Sequence, residues 1–347
     1  MTVVMLFFLA GGRRLLSLLY GQVDTAVMDS ATVYFLITAL SFPLLAVYNA
    51  GIAIFRAQGN TKLSMKVSLR MNIYNVIGNA FCIFVLKMGV AGVAIPTVLA
   101  RGYAAAVITR KIQAPENPLR LRSAADLRPN GELIRKVLSI GLPNGMESGL
   151  FRLGTVLLQS LVSTLGTASI AAYAVANNLA TYLYLPGNAL GAAMITVIGQ
   201  CYGAKEYGQA KKYAKTLLGL NYAIAGVIAA ALILGSGFFV GLYQLTGEAN
   251  TLARQLITAH SVAMVIWPTA FLFAYYFRAI GKAAFTMWVA IAAMWIFRIG
   301  LAYLFVKVLG MSVLGVWYAM FVDWVFRTIV YLTRFPKSLP DKAEQTV

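Results

Sequence analysis

The sequence predicts an all-α polytopic membrane protein, with about ten transmembrane helices in two parallel-repeat lobes: a partial lobe of four helices, then a complete lobe of six. Three observations carry that expectation. Hydrophobic residues make up 60% of the chain and charged residues 12%, and the mean hydropathy is +0.75, outside the balance of a soluble domain. Long apolar stretches recur, each able to cross about 30 Å of hydrocarbon as a helix. The chain also repeats itself, in the same order, at a spacing of about 222 residues.

The expected spans are 3–20, 31–55, 67–87, 90–109, 134–162, 168–200, 214–243, 255–277, 283–306 and 313–333. Their apolar runs are continuous rather than alternating, which disfavours a barrel and favours helices that satisfy every backbone group within the segment. Met1 to Ala10 lacks a basic start and makes a poor signal peptide. Four spans form a first lobe over 1–112, six form a second over 133–335, and 336–347 is a tail. Between the lobes, 113–132 is a linker with Pro115, Pro118 and Pro129.

The repeat is collinear. Arg56-Ala57-Gln58-Gly59 answers Arg278-Ala279-Ile280-Gly281, and Leu19-Tyr20-Gly21-Gln22 answers Leu242-Tyr243-Gln244-Leu245. Gly78-Asn79-Ala80-Phe81 answers Gly300-Leu301-Ala302-Tyr303, and Gly89-Val90-Ala91-Gly92-Val93 answers Ser312-Val313-Leu314-Gly315-Val316. The second copy starts near Leu133, so a full first copy would start roughly 90 residues before Met1, and two helices of the first lobe are expected to be missing.

The net charge of +18 follows the membrane rather than nucleic acid. Alternate loops place Arg56, Lys62, Lys66, Arg70, the seven basic residues from Arg110 to Lys136, Lys205, Lys211, Lys212, Lys215, Arg278, Lys282, Arg334, Lys337 and Lys342 on one side. Opposite loops hold Lys87, Arg254 and Lys307. The positive-inside rule makes the first side cytoplasmic, together with the linker and the C-terminus, in a multi-pass plasma-membrane protein. Both copies keep that orientation, so the lobes are related by an axis along the membrane normal. Arg13 and Arg14 sit awkwardly near the far side, either snorkelling or at the end of a disturbed bundle. Cys82 and Cys201 lie apart in apolar surroundings and support neither a disulfide nor a metal site.

Glu147 and Asp323 are the two carboxylates well inside apolar spans. A charge at mid-bilayer costs about 2.5–3.5 kcal/mol on insertion scales, so each needs a partner or a purpose. Glu147 follows Pro143, expected to open local carbonyls, and Asn144; it either exchanges a proton or is glued to Arg152 or Asn144. Asp323 and Arg327, four apart on one face, are expected to be a structural ion pair. Arg101 and Arg298 either snorkel or line a cavity. His260, the one histidine, is expected to be structural or interfacial near the outer end of its span. Asn72, Asn75 and Asn79 form a stripe, with Asn49 and Thr97 on neighbouring spans; they either line a cavity or bond helices together. Gly187 and Gly191 let helices approach closely.

These residues resemble the MATE (multidrug and toxic compound extrusion) transporters. The specific segment runs from Ala171-Ala172-Tyr173 through Pro186-Gly187 to Gly199-Gln200-Cys201-Tyr202-Gly203-Ala204-Lys205 and Gln209-Ala210-Lys211-Lys212. It looks like the family's eighth helix and the loop after it. Gly141-Leu142-Pro143 with Glu147 looks like the start of the seventh helix, and Arg56-Ala57-Gln58-Gly59-Asn60-Thr61-Lys62 like the loop after the fourth. The resemblance implies helices three to six of the first lobe, all of the second, and N-terminal truncation. Glu147 matches the cation-coupling glutamate. The first-helix aspartate has no counterpart, Asn75 and Asn79 match an Asn–Asp pair with an amide in place of the acid, and 255–277 lacks the tenth-helix carboxylate of some Na⁺-coupled members.

The expected function is therefore a secondary antiporter that exports cationic or amphiphilic small molecules in exchange for H⁺ or Na⁺, with H⁺ favoured. Glu147 would couple, and Asn49, Asn75, Asn79, Thr97, Asn144, Asn178 and Tyr275 would line the cavity. No cofactor, metal, nucleic-acid partner or catalytic residue is expected, and the protein should be a monomer among membrane lipids. The alternatives are a flippase for a lipid-linked saccharide, which would need several basic groups in its cavity, and an inactive transporter fragment. A membrane-embedded enzyme lacks the clustered acids or nucleophile–base set it would need.

Overall fold

A computed structural model describes residues 1–20, 25–117 and 130–339, with the side chains of 18–20 excluded. Most of the expected linker, Ser123 included, most of the tail, and the Gly21-Gln22 repeat match lie outside the described residues. The described residues are helical, with no strand among them, and the chain divides into two compact units, Met1–Pro129 and Asn130–Val347.

In the first unit α1 (Thr2–Tyr20) packs on α2 (Thr25–Ala39), and α2 and α3 (Phe42–Ala57) pack on α5 (Ala91–Ile112). The span expected at 31–55 is the pair α2 and α3, bent by 46°. Pro43 in the first turn of α3 has no N–H to offer a continuing helix, which suits the bend. Next, α4 (Thr61–Ala80) runs on through π-helical Phe81–Val85 and packs on α5. Tyr48, Ile52, Phe55, Val67, Ala104 and Ile108 form the core. Arg13 sets Nη2 3.0 Å from Asp29 Oδ1, in an exposed pair that links α1 to α2.

The second unit holds α6 (Gly131–Ser163), α7 (Thr167–Gly203), α8 (Tyr207–Leu234), the short α9 (Ser236–Gly241), α10 (Gly247–Ala263) and α11 (Trp267–Ala279). Then α12 (Ala283–Ala292) continues through π-helical and α-helical turns to Val308, and α13 (Val313–Arg334) follows. The span expected at 255–277 is α10 and α11, bent by 56°. At the centre, α7 packs against α8, α10 and α11. Its Gly187 faces the Trp267 ring and its Gly191 the Tyr275 ring, so closely that a Cβ at either would overlap the ring. Phe335 to Leu339 folds back against α11, where Phe335 stacks on Phe273 and Tyr276 Oη shares a 2.7 Å hydrogen bond with Ser338 Oγ.

Five described helices are long and apolar enough to cross a membrane, or seven if each bent pair is one span, against the ten expected. Among those that miss, α4 carries Lys62, Lys66, Arg70 and its asparagines, and α6 carries Asn144, Glu147, Arg152 and Gln159. Helix α6 runs unbroken through Pro143, which has no N–H to offer the Ser139 carbonyl one turn back.

The repeat recurs in the backbone. Gly59 (φ 79°) and Gly281 (φ 80°) close the same turn, Gly59 N donating to Arg56 O at 2.9 Å and Gly281 N to Arg278 O at 3.0 Å. Asn60 N donates to Phe55 O and Lys282 N to Phe277 O, both at 2.8 Å. Each of these helices thereby satisfies its last carbonyls, and only glycine takes that φ freely. Further on, π-helical Phe81–Val85 answers π-helical Leu304–Val308, and left-handed Lys87 (φ 50°) answers left-handed Gly310 (φ 64°). The closing bonds match too: Met88 N to Cys82 O at 3.1 Å, and Met311 N to Phe305 O at 2.9 Å.

Candidate functional site

Glu147 projects from α6 and finds its partner on another helix. Arg278, in the last turn of α11, sets Nη2 2.6 Å from Glu147 Oε1, with side-chain exposures of 20% for the arginine and 17% for the glutamate. The guanidinium has two further holds: Nε donates to Thr286 Oγ1 at 3.3 Å, and its carbon lies 5.6 Å from the Tyr275 ring centre. Glu147 Oε2 is buried with no donor, and so is Asn144 Oδ1, three residues earlier on the same helix. Neither expected glue partner serves: Asn144 offers Glu147 no bond, and Arg152 is exposed. Position along the chain conceals Arg278, which loop threading puts on the cytoplasmic rim; its place before Gly281, in the turn that ends α11, is the available signal.

Asp323 and Arg327 pair as expected, Arg327 Nε lying 2.6 Å from Oδ1, with the aspartate fully buried. Arg327 also donates Nη2 to Ala290 O at 3.2 Å and lies 5.2 Å over Phe271. Arg298 stands near this pair, its Nη1 3.7 Å from Asp323 Oδ2 without a hydrogen bond and its carbon 5.6 Å from the Phe151 ring. His260 is not interfacial but wholly buried, sharing a 2.8 Å hydrogen bond between Nε2 and Tyr184 Oη within a wall of Trp317 and Trp324.

The remaining expected cavity residues are dispersed. Asn75 donates to Thr97 Oγ1 at 2.8 Å, and the Asn79 amide, turned over, donates to Val93 O and Asn75 O at 3.2 Å, so this stripe bonds α4 to α5. Asn72 bonds back to Ser68 O on its own helix, and Arg101 donates to Ser41 Oγ at 2.5 Å. Asn49 is exposed on α3. Asn178 accepts from Tyr243 Oη at 2.9 Å, away from Glu147, whereas Tyr275 stands beside Arg278. The structure thus gathers Glu147, Asn144, Tyr275 and Arg278.

Apolar helices crossing in a bundle, with acids held against arginines in its interior, define a polytopic membrane protein. The MatE family model matches residues 1–81 and 143–304, and the chain belongs to that family. It is similar to the "Uncharacterized transporter YisQ" of Bacillus subtilis, 28% identical over 84% of this chain and 64% of that one. It is 24% identical to the "Probable multidrug resistance protein NorM" of Thermotoga maritima, over 83% of this chain and 68% of the relative. The chain therefore spans about two thirds of the length of the curated relatives it matches. Among solved structures, "Crystal structure of MATE in the bent conformation" superposes with a TM-score of 0.84 at 19% identity, covering 95% of this chain and 73% of the other. An outward-facing multidrug resistance MATE family transporter gives 0.84 at 20%, covering 97% and 75%.

Proposed function

We propose that the protein works as a secondary active antiporter that exports cationic or amphiphilic small molecules in exchange for H⁺ or Na⁺, with Glu147 as the coupling carboxylate. One observation carries the reading: Glu147 holds a partly accessible one-to-one ion pair between α6 and α11 while its second oxygen stays buried without a donor. A partly accessible carboxylate can bind and release a cation, whereas Asp323, whose Oδ2 also lacks a donor, is fully buried and held at Oδ1 by Arg327. The names of the relatives support multidrug efflux. The residues 255–277, without an acid, favour H⁺ over Na⁺. The basic loops favour a cytoplasmic linker and C-terminus in a plasma-membrane protein, and the collinear repeats favour two lobes related by an axis along the membrane normal, which rock as units to alternate access.

The flippase reading is weaker, because three arginines of the second unit already face carboxylates: Arg278 pairs with Glu147, Arg327 with Asp323, and Arg298 lies 3.7 Å from Asp323. Efflux of an organic cation from inside-out vesicles under an imposed pH or Na⁺ gradient tests the proposal. Glu147→Gln should lower gradient-driven efflux at least about tenfold with expression unchanged, an effect of about 1.4 kcal/mol. Efflux at the native rate in that variant would remove Glu147 from the mechanism.

A further inference from the structure

We propose that Arg278 is a tethered cation: in the cargo-free state its guanidinium fills a cation site made by Glu147 and the Tyr275 ring, and a transported organic cation must displace it. The inference rests on the reading of Glu147 as the coupling carboxylate.

Arg278 has the contacts a soluble organic cation would want. Its charge sits 2.6 Å from Glu147 Oε1 and 5.6 Å from the centre of the Tyr275 ring, and an acid beside an aromatic face is the recognition set for ammonium and related cations. The ring is held in place: Tyr275 Oη donates to Asn188 Oδ1 at 3.4 Å, and Gly191, without a side chain, leaves room for the ring against α7. The site also has acceptors to spare. Glu147 Oε2 and Asn144 Oδ1 are both buried and undonated, and they lie one turn apart on α6, so an incoming cation with N–H donors gains bonds that Arg278 does not make.

The competing hold on Arg278 is weak enough to break. Apart from Glu147 it has one neutral hydrogen bond, to Thr286, and among the described residues no second carboxylate pairs with it. Asp323 shows the opposite arrangement. Arg327 is buried on that fully buried carboxylate and is further fixed by Ala290 O and the Phe271 ring, as a permanent structural ion pair should be, and Arg298 stands 3.7 Å from Oδ2 without a hydrogen bond. Arg278 also lies in the last turn of α11, directly before the Gly281 turn, where a long side chain can swing towards solvent without disturbing the core.

The test is equilibrium binding of ethidium to the purified 347-residue protein in lipid nanodiscs, read by fluorescence anisotropy, with thermal midpoints recorded for every variant. Removing the internal competitor in Arg278→Gln should tighten binding about tenfold, and Glu147→Gln should weaken it by a similar factor. Ethidium affinity at or below the native value in a folded Arg278→Gln overturns the proposal. If Arg278→Gln is not recovered folded, Arg278→Lys decides, since it keeps the charge but loses the planar fork: a few-fold tighter binding supports the proposal, and native or weaker binding overturns it. Glu147→Gln separates the two readings. Weakened binding there, with no gain in the Arg278 variants, sinks the tethered cation alone, whereas unaltered binding in Glu147→Gln sinks the Glu147 reading and this proposal with it.

Discussion

Arg298 approaches the one oxygen of Asp323 that Arg327 leaves open, Nη1 standing 3.7 Å from Oδ2 while Arg327 Nε lies 2.6 Å from Oδ1. The helical i, i+4 pair is therefore part of a triad that ties α13 to the π-helical continuation of α12.

The triad changes what a double-mutant cycle should show. Asp323→Ala strands two arginines and should cost about 3–5 kcal/mol of stability in detergent, as breaking buried pairs does. Removing Arg327 as well should recover only part of that loss, because Arg298 is still left without its carboxylate. Adding Arg298→Met should recover more. Strictly additive losses across the series would exclude coupling among the three.

Glycine positions separate conformational from steric cost. Gly281 has φ 80° and open space where a Cβ would stand, so Gly281→Ala should lose about 1–2 kcal/mol through backbone strain alone. Gly199, helical and equally open, should tolerate alanine or gain up to about 1 kcal/mol. Gly187→Ala must push Trp267 aside, where that ring is stacked between Tyr184 and Phe271, and should cost about 1–3 kcal/mol. Thermal midpoints of the three variants in one detergent check the order; a stabilised Gly281→Ala would contradict it.

The buried histidine should be structural. Tyr184→Phe removes the hydroxyl bonded to His260 Nε2 and leaves that nitrogen unsatisfied beside the already unpartnered Nδ1, at about 1–3 kcal/mol. The pH profile of efflux should stay where it was; a displaced profile would mark His260 as part of the ion path.

Orientation can be read with a thiol probe. A cysteine at Ser123, which lies outside the described residues, in a background lacking Cys82 and Cys201, should resist an impermeant reagent in intact cells and react after lysis. Labelling from outside would reverse the topology.

The helical class and the repeat that carries Gly59 and Gly281 were legible in the linear chain because each is decided locally. A segment in hydrocarbon must satisfy its backbone within itself, so its apolar run announces it, and a left-handed turn position announces itself by glycine. The Asp323–Arg327 pair was legible for the same reason, since one helical turn brings i and i+4 together. Three features were decided only by tertiary packing: the joining of Glu147 to Arg278, 131 positions away, the recruitment of Arg298 to Asp323, and the burial of His260. Those depend on which helix faces oppose one another, and helix rotation and crossing in a membrane are set by small-residue contacts and polar bonds spread over whole helices, as at Gly187 and Gly191, rather than by any short run of sequence.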